Sequence, residues 1–71
     1  MGWRALTNRE RQVAYLITLG FSDKQIANAL NISKHTAKTH VQAIFKKFGV
    51  RRRYAVASIL LRLRADIPIQ D

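Results

Sequence analysis

The sequence predicts a single all-α domain of four helices. Three observations carry this prediction: a length of 71 residues, apolar residues that recur at helical spacing, and a helix start or stop signal wherever that spacing breaks. A chain this short has room for one domain. Hydrophobic residues make up 48% of it, which is enough for a compact core. We expect residues 1–71 to form one domain with its core at about 6–65, after a frayed lead-in at 1–5.

The first helix follows a capping signal at Thr7. Thr7 and Glu10 have the spacing of a capping box, in which the hydroxyl accepts from a first-turn amide and the carboxylate reaches back to the amide of the cap. An apolar stripe at helical spacing follows, made of Val13, Leu16 and Ile17. Gly20 then predicts the left-handed residue that ends a helix.

The second helix is predicted to be about two turns long. Ser22 and Gln25 form another capping box, and Phe21 can pack on Ile26 as a hydrophobic staple across the cap. The predicted inward positions are Ile26, Ala27 and Leu30. Asn31 tolerates the left-handed conformation and therefore marks the end of this helix.

Ser33 caps the third helix, which is predicted over Lys34–Phe48. Its apolar positions lie on one face and are Ala37, Val41, Ile44, Phe45 and Phe48. Gly49 ends the helix. We expect Ile32, before the helix, and Val50, after Gly49, to point into the core.

A last helix is predicted from about Arg53 to Ala65. Arg52 precedes it and offers no side-chain oxygen as a cap. Ile67 and Pro68 prevent the helix from continuing. Apolar residues are spread around this helix instead of forming one stripe, which favours two protein partners, the domain's own core and a second subunit.

The second and third helices have the lengths and spacing of a helix-turn-helix unit. Ala27 has almost no side chain at the expected crossing point and lets the two helices approach closely. The outward arc of the third helix carries His35, Lys38, Thr39, Gln42 and Lys46, and its other flank carries Thr36, His40, Ala43 and Lys47. These side chains are polar or small and none is acidic, so they suit phosphates and base edges.

The charges are segregated along the chain. There are 13 Lys and Arg residues against 4 Asp and Glu, a net charge of +9, and no acid occurs between Lys24 and Ala65. Positive charge of one sign over a whole segment favours a polyanion, either nucleic acid or an anionic lipid surface.

An ordered series of motifs runs through the chain: Leu6-Thr7-x-Arg9-Glu10-x-x-Val13, residues 20–27, Leu30, Ile32-Ser33, Thr36-Ala37-Lys38-x-His40-Val41, residues 44–50 and Arg53. This series resembles the LuxR/FixJ (GerE-type) domain of bacterial transcription regulators. The resemblance covers roughly Leu6 to Leu63. It implies a four-helix domain in the bacterial cytoplasm that binds duplex DNA through the third helix, dimerises through the fourth, and takes RNA polymerase as a further candidate partner. We expect either the isolated DNA-binding domain of such a regulator or a small regulator consisting of little else.

The site residues follow from this resemblance and from the outward arc. Lys38, Thr39 and Gln42 are predicted to read bases. The predicted phosphate contacts are Lys34, His35, Thr36, Lys46 and Lys47, and the predicted dimer contacts on the last helix are Val56, Ile59 and Leu63.

Other functions have less support in the sequence. The chain has no cysteine, so disulfides and thiolate zinc sites are excluded, and we expect neither a metal nor a cofactor. His35 and His40 lie five residues apart, which does not place them on one helix face as ligands, and no nucleophile with a base is present to indicate an enzyme. Two alternatives stay open: a protein-interaction module on the same fold, and a basic amphipathic binder of membrane surfaces.

Overall fold

Residues 3–66 are described by a computed structural model, with side chains for residues 4–62. Its helices are α1 (Asn8–Thr18), α2 (Asp23–Leu30), α3 (Lys34–Phe48) and α4 (Arg53–Asp66), and a 3-10 turn spans Trp3–Ala5. No strand occurs within 3–66, and the all-α prediction is confirmed. The 3-10 turn corrects the expectation of a frayed lead-in over 1–5. Residues 1 and 2, and the predicted stop at Ile67 and Pro68, lie outside the described residues.

Side-chain caps begin three of the four helices where they were predicted. The Thr7 hydroxyl accepts from the Glu10 amide at 3.1 Å, and the Glu10 carboxylate accepts from the Thr7 amide at 2.9 Å. Ser22 and Gln25 repeat this reciprocal pair at 3.2 and 2.8 Å. The Ser33 hydroxyl accepts from the Thr36 amide at 3.0 Å. Both predicted capping boxes are therefore confirmed, because short-range contacts of this kind depend only on neighbouring residues.

Left-handed residues end α2 and α3. Asn31 has φ of 57° and Gly49 has φ of 69°. Glycine suits this conformation because it has no Cβ, and asparagine tolerates it better than most other residues. After Gly49 the chain turns back, and the Val50 amide donates to the Phe45 carbonyl at 2.9 Å. Val50 thereby packs against the core, as predicted.

The core lies where the four helices meet. Its buried apolar residues are Leu6, Val13, Ala14, Ile17, Ile26, Ala27, Ala37, Val41, Ile44, Val56 and Leu60. α2 and α3 pack on each other, and each contributes a buried alanine, Ala27 and Ala37. With only a methyl group at these positions, the two helices of the helix-turn-helix can approach closely.

α4 divides its apolar residues between the core and the surface. Val56 is fully buried and Leu60 is 5% exposed, whereas Tyr54 is 69% and Leu61 62% exposed. Val56 is therefore a core residue, and its prediction as a dimer contact is wrong: the side chain packs inside its own domain and has no surface to offer. Ile59 is half-buried. Leu63 lies beyond the described side chains.

Arg53 anchors the first turn of α4. Its guanidinium donates to the Phe21 carbonyl at 3.1 Å and to the Asp23 carboxylate. Partial burial lowers the pKa of Arg53, but an arginine stays charged at any ordinary pH. This tie to the start of α2 fixes the position of α4, which begins without the side-chain oxygen that caps the other three helices.

Candidate nucleic-acid interface

The outward face of α3 is the candidate interface. The helix has 15 residues and is therefore about 22 Å long. Its exposed side chains are Lys34, His35, Lys38, Thr39, Gln42 and Lys46. The four residues of the other flank, Thr36, His40, Ala43 and Lys47, are half-buried. The structure thus brings most of the predicted contacts to one exposed arc without an acid in it.

The three predicted base contacts lie together on this arc. Lys38 and Gln42 are four residues apart and hence neighbours on the helix surface, and Thr39 is three residues before Gln42. All three are exposed. An ammonium, a hydroxyl and an amide offer different hydrogen-bonding groups to the edges of bases.

The two threonines of α3, Thr39 on the arc and Thr36 on the other flank, use their hydroxyl groups differently. Thr36 Oγ1 accepts from the Ser33 hydroxyl at 2.9 Å, inside the N-terminal cap of α3. Thr39 Oγ1 donates to the His35 carbonyl at 3.0 Å, one turn earlier on the same helix. Threonine hydroxyls often bond this way within helices.

Lys47 is half-buried, and its ammonium is bonded within the domain. Its ammonium donates to the Glu10 carboxylate at 2.7 Å and to the Ala5 carbonyl at 3.1 Å. It ties α3 to α1 and to the 3-10 turn instead of standing free for a phosphate, which corrects the prediction made from its position on α3. No local sequence pattern indicates this pair, because its members are 37 residues apart.

Glu10 is the buried member of that pair, with 7% of its surface exposed. Burial by itself raises the pKa of a carboxyl group. Hydrogen bonds from Lys47 and Thr7, together with the positive charge of Lys47, outweigh that effect and leave the pKa of Glu10 below its usual value. The carboxylate is therefore charged at neutral pH.

The acids with described side chains are both neutralised by partners. Glu10 pairs with Lys47 and Asp23 pairs with Arg53. The exposed cations of α3 therefore have no carboxylate beside them within the described side chains, and the positive potential of this face is retained.

Two further exposed cations, which were not predicted as contacts, follow α3 in the chain. Arg51 and Arg52 are exposed in the connection that follows Gly49, while Arg53 turns inward to Asp23. The run of three arginines was visible in the sequence. What separates their roles is the acid at the start of α2, and that contact joins residues 30 positions apart.

The family model for bacterial regulatory proteins of the luxR family matches residues 4–60. The chain belongs to the luxR family. The matched range includes α1, α2, α3 and the start of α4, so the resemblance predicted from the sequence is confirmed for the helix-turn-helix and the core beneath it.

Curated relatives of this luxR-family chain are regulators. It is 42% identical over 59 residues to the nitrate/nitrite response regulator protein NarP of Escherichia coli (strain K12), covering 83% of this chain and 27% of NarP. It is 43% identical over 58 residues to the HTH-type transcriptional regulator MalT of Yersinia pestis (strain Pestoides F), covering 82% of this chain and 6% of MalT. The chain thus spans a small part of these relatives.

The luxR family is one of DNA-binding regulators and not of enzymes, and membership supports DNA binding and regulation of transcription for this domain. No helix within residues 3–66 is long and apolar enough to cross a membrane. In the same part of the chain, histidine and acidic side chains form no group of three that could hold a metal ion.

Proposed function

We propose that this luxR-family domain binds duplex DNA sequence-specifically with α3 in the major groove, and that it regulates transcription in this way. The observation that carries the proposal is the exposed, acid-free arc of α3 on a helix-turn-helix whose inner face packs into the core. A helix inserted in the major groove reaches base edges with the side chains of such an arc. Family membership supports the same conclusion.

Within this proposal, the exposed residues divide into two roles. Lys38, Thr39 and Gln42 read bases. The backbone is held by Lys34, His35, Thr36 and Lys46, to which we add Arg51 and Arg52. Phosphate contacts of this kind fix the orientation of the protein on the duplex and carry no sequence information.

We further propose that the domain acts as a dimer on DNA through α4. Tyr54 and Leu61 are large and exposed, and their spacing of seven residues places them on one face of α4. Ile59 is half-buried on another side of this helix. One recognition helix reads only a short half-site, so a two-fold dimer would set two half-sites about 34 Å apart.

Two substitutions on α3 test the division between reading and holding. Gln42→Ala should weaken binding to the preferred duplex by about 1–3 kcal/mol and have little effect on a scrambled one. The reason is that only the preferred duplex presents an adenine edge to the Gln42 amide. Lys46→Ala should weaken binding to both duplexes similarly, because it removes only a phosphate contact. The measurement is the affinity of each variant for both duplexes at several salt concentrations.

Arg9→Ala is the matched control. Arg9 is exposed on α1, outside the proposed interface, so its removal should leave the ratio of the two affinities unchanged. Equal losses from Gln42→Ala on both duplexes would contradict its base-reading role. A wild-type domain that bound the scrambled and selected duplexes equally would contradict specific binding altogether.

A further inference from the structure

The hydroxyl of Thr39 has no proton to offer to a base. Its Oγ1 donates to the His35 carbonyl at 3.0 Å, and a hydroxyl has only one proton to donate. Thr39 is exposed at the middle of the α3 arc, so it lies where a base edge is expected. What remains for contact is the Cγ2 methyl group and the oxygen lone pairs.

The four bases differ in what they require from such a side chain. In the major groove guanine presents two acceptors, N7 and O6, and both need a donor. Thymine presents one acceptor and the C5-methyl group, which makes apolar contacts with groups such as a threonine methyl. A threonine whose proton is already bonded therefore disfavours guanine. Its lone pairs could accept from the amino group of adenine or cytosine, but its methyl group finds an apolar partner only on thymine.

We propose that Thr39 reads the 5-methyl group of a thymine through its own methyl group. This inference rests on the proposed function, since it requires α3 in the major groove. The bond to His35 fixes the side-chain rotamer before binding, so that little rotamer freedom is lost when the two methyl groups meet. Lys38 and Gln42, on either side, supply the donors that the neighbouring bases need.

Thr36 and Thr39 differ in the hydrogen bonds of their hydroxyl groups. Thr36 Oγ1 accepts from Ser33 at 2.9 Å, so its own proton is available to a phosphate oxygen. Thr36 thus suits the backbone, whereas Thr39 suits an apolar group on a base. Hydrogen-bond direction, and not residue type, separates the two roles.

The first step of the test finds the base that Thr39 faces. Bound duplexes are selected from a random pool with the wild-type domain and with Thr39→Ser, which keeps the hydroxyl and removes the methyl group. The proposal expects one thymine to be required by the wild type and no longer required by the variant. A different base at the position whose preference changes would overturn it.

The second step removes only the methyl group of the DNA. Replacing that thymine by deoxyuridine should weaken wild-type binding about fourfold, the effect of burying roughly one methyl group. Thr39→Val, which keeps a methyl group and removes the hydroxyl, should retain this thymine-to-uracil ratio, and Thr39→Ser should reduce it to about one. If the wild type binds the thymine and deoxyuridine duplexes equally, the methyl contact does not exist. The same conclusion follows if Thr39→Val binds the two duplexes equally.

The control is the same substitution elsewhere. Thr18 on α1 also donates its hydroxyl to a carbonyl of its own helix, that of Tyr15, so Thr18→Ser should keep the wild-type ratio; a lowered ratio would overturn the proposal, because Thr18 lies outside the interface. Thermal melting of each variant confirms folding.

The outcomes separate a failure of this proposal from a failure of the proposed function. If the wild-type domain selects no duplex at all, the proposed function fails. If it selects a duplex in which replacing thymine by deoxyuridine does not change the affinity, the function stands and only the reading by Thr39 fails.

Discussion

Glu10 shows how much of a single residue's role can be predicted locally. Its place in the capping box with Thr7 is predicted from a spacing of three residues, and the structure confirms it. Its second role, the pair with Lys47 that joins α1 to α3, depends on how the helices pack. No pattern in the sequence connects the two residues, so Lys47 was predicted to face the phosphates instead.

Glu10→Gln should separate these two roles. Glutamine also fits the last position of a capping box, so the helix start should persist while the ion pair with Lys47 is lost. We expect the free energy of unfolding at pH 7 to fall by about 1–2 kcal/mol, toward the low end for a hydrogen bond to a charged group, because solvent screens the half-exposed Lys47. Urea unfolding measures it, and an unchanged value would show that the pair contributes nothing to stability.

The same pair predicts a dependence on pH. The pKa of Glu10 is lower in the folded chain than in the unfolded chain, so its stabilisation is complete above the unfolded value, about 4.3, and is lost as the pH falls through the folded value. The difference in unfolding free energy between wild type and Glu10→Gln should therefore shrink below about pH 4.5. A difference that stayed constant down to pH 3 would contradict this linkage. Subtracting the variant removes the contribution of Asp23, which both proteins share.

At the scale of elements, α4 was the helix least determined by its sequence. α1, α2 and α3 each have a capping signal and one apolar stripe, and their bounds are as predicted. In α4 apolar residues occur on every side, so the sequence could not decide whether Val56 or Leu61 faces the core. Packing against the rest of the domain, together with the tie from Arg53 to Asp23, settles it: Val56 is inside and Leu61 is exposed.

Leu61→Glu tests the proposed role of the exposed side of α4. Because Leu61 is 62% exposed, a charge there should leave the melting temperature nearly unchanged but should weaken cooperative binding to a duplex with two half-sites, since it places like charges in the dimer contact. Gln12→Glu, an equal change of charge at an exposed position of α1, is the control. Sedimentation and titration of the paired site measure the cooperativity. If cooperativity survives Leu61→Glu, the exposed face of α4 is not the dimer contact.

Val56→Ala should have the opposite effects to Leu61→Glu, because it should lower stability and leave DNA binding unchanged. Val56 is fully buried, so the smaller side chain should leave a cavity and lower the free energy of unfolding by about 2 kcal/mol. Binding to DNA by the fraction that stays folded should be unaffected. Denaturant unfolding followed by titration at low temperature distinguishes the two effects, and a stability equal to wild type would contradict the burial.

At the scale of the whole molecule, the fold pairs both acids whose side chains are described, so neither leaves an unpaired carboxylate beside the surface that is proposed to meet DNA. Two of the four acids are paired, one with Lys47 and one with Arg53. The segregation of charge along the chain was predicted from the sequence. The sequence did not predict which cations stabilise the fold and which stay exposed, because that depends on which helices are neighbours. Lys34, Lys46, Arg51 and Arg52 belong to the exposed group.

This sorting predicts the salt dependence of binding. If Lys34, Lys46, Arg51 and Arg52, together with up to two further exposed cations such as Lys38, neutralise roughly four to six phosphates, log K should fall with log salt at a slope of about −4 to −5 per domain. Replacing Arg51 and Arg52 together by alanine should reduce the slope by about two units on any duplex, while Arg9→Ala should leave it unchanged. Fluorescence anisotropy titrations between low and physiological salt give these slopes. A wild-type slope near zero would show that the exposed cations do not meet phosphates, and an unchanged slope in the double variant would restrict the contacts to α3.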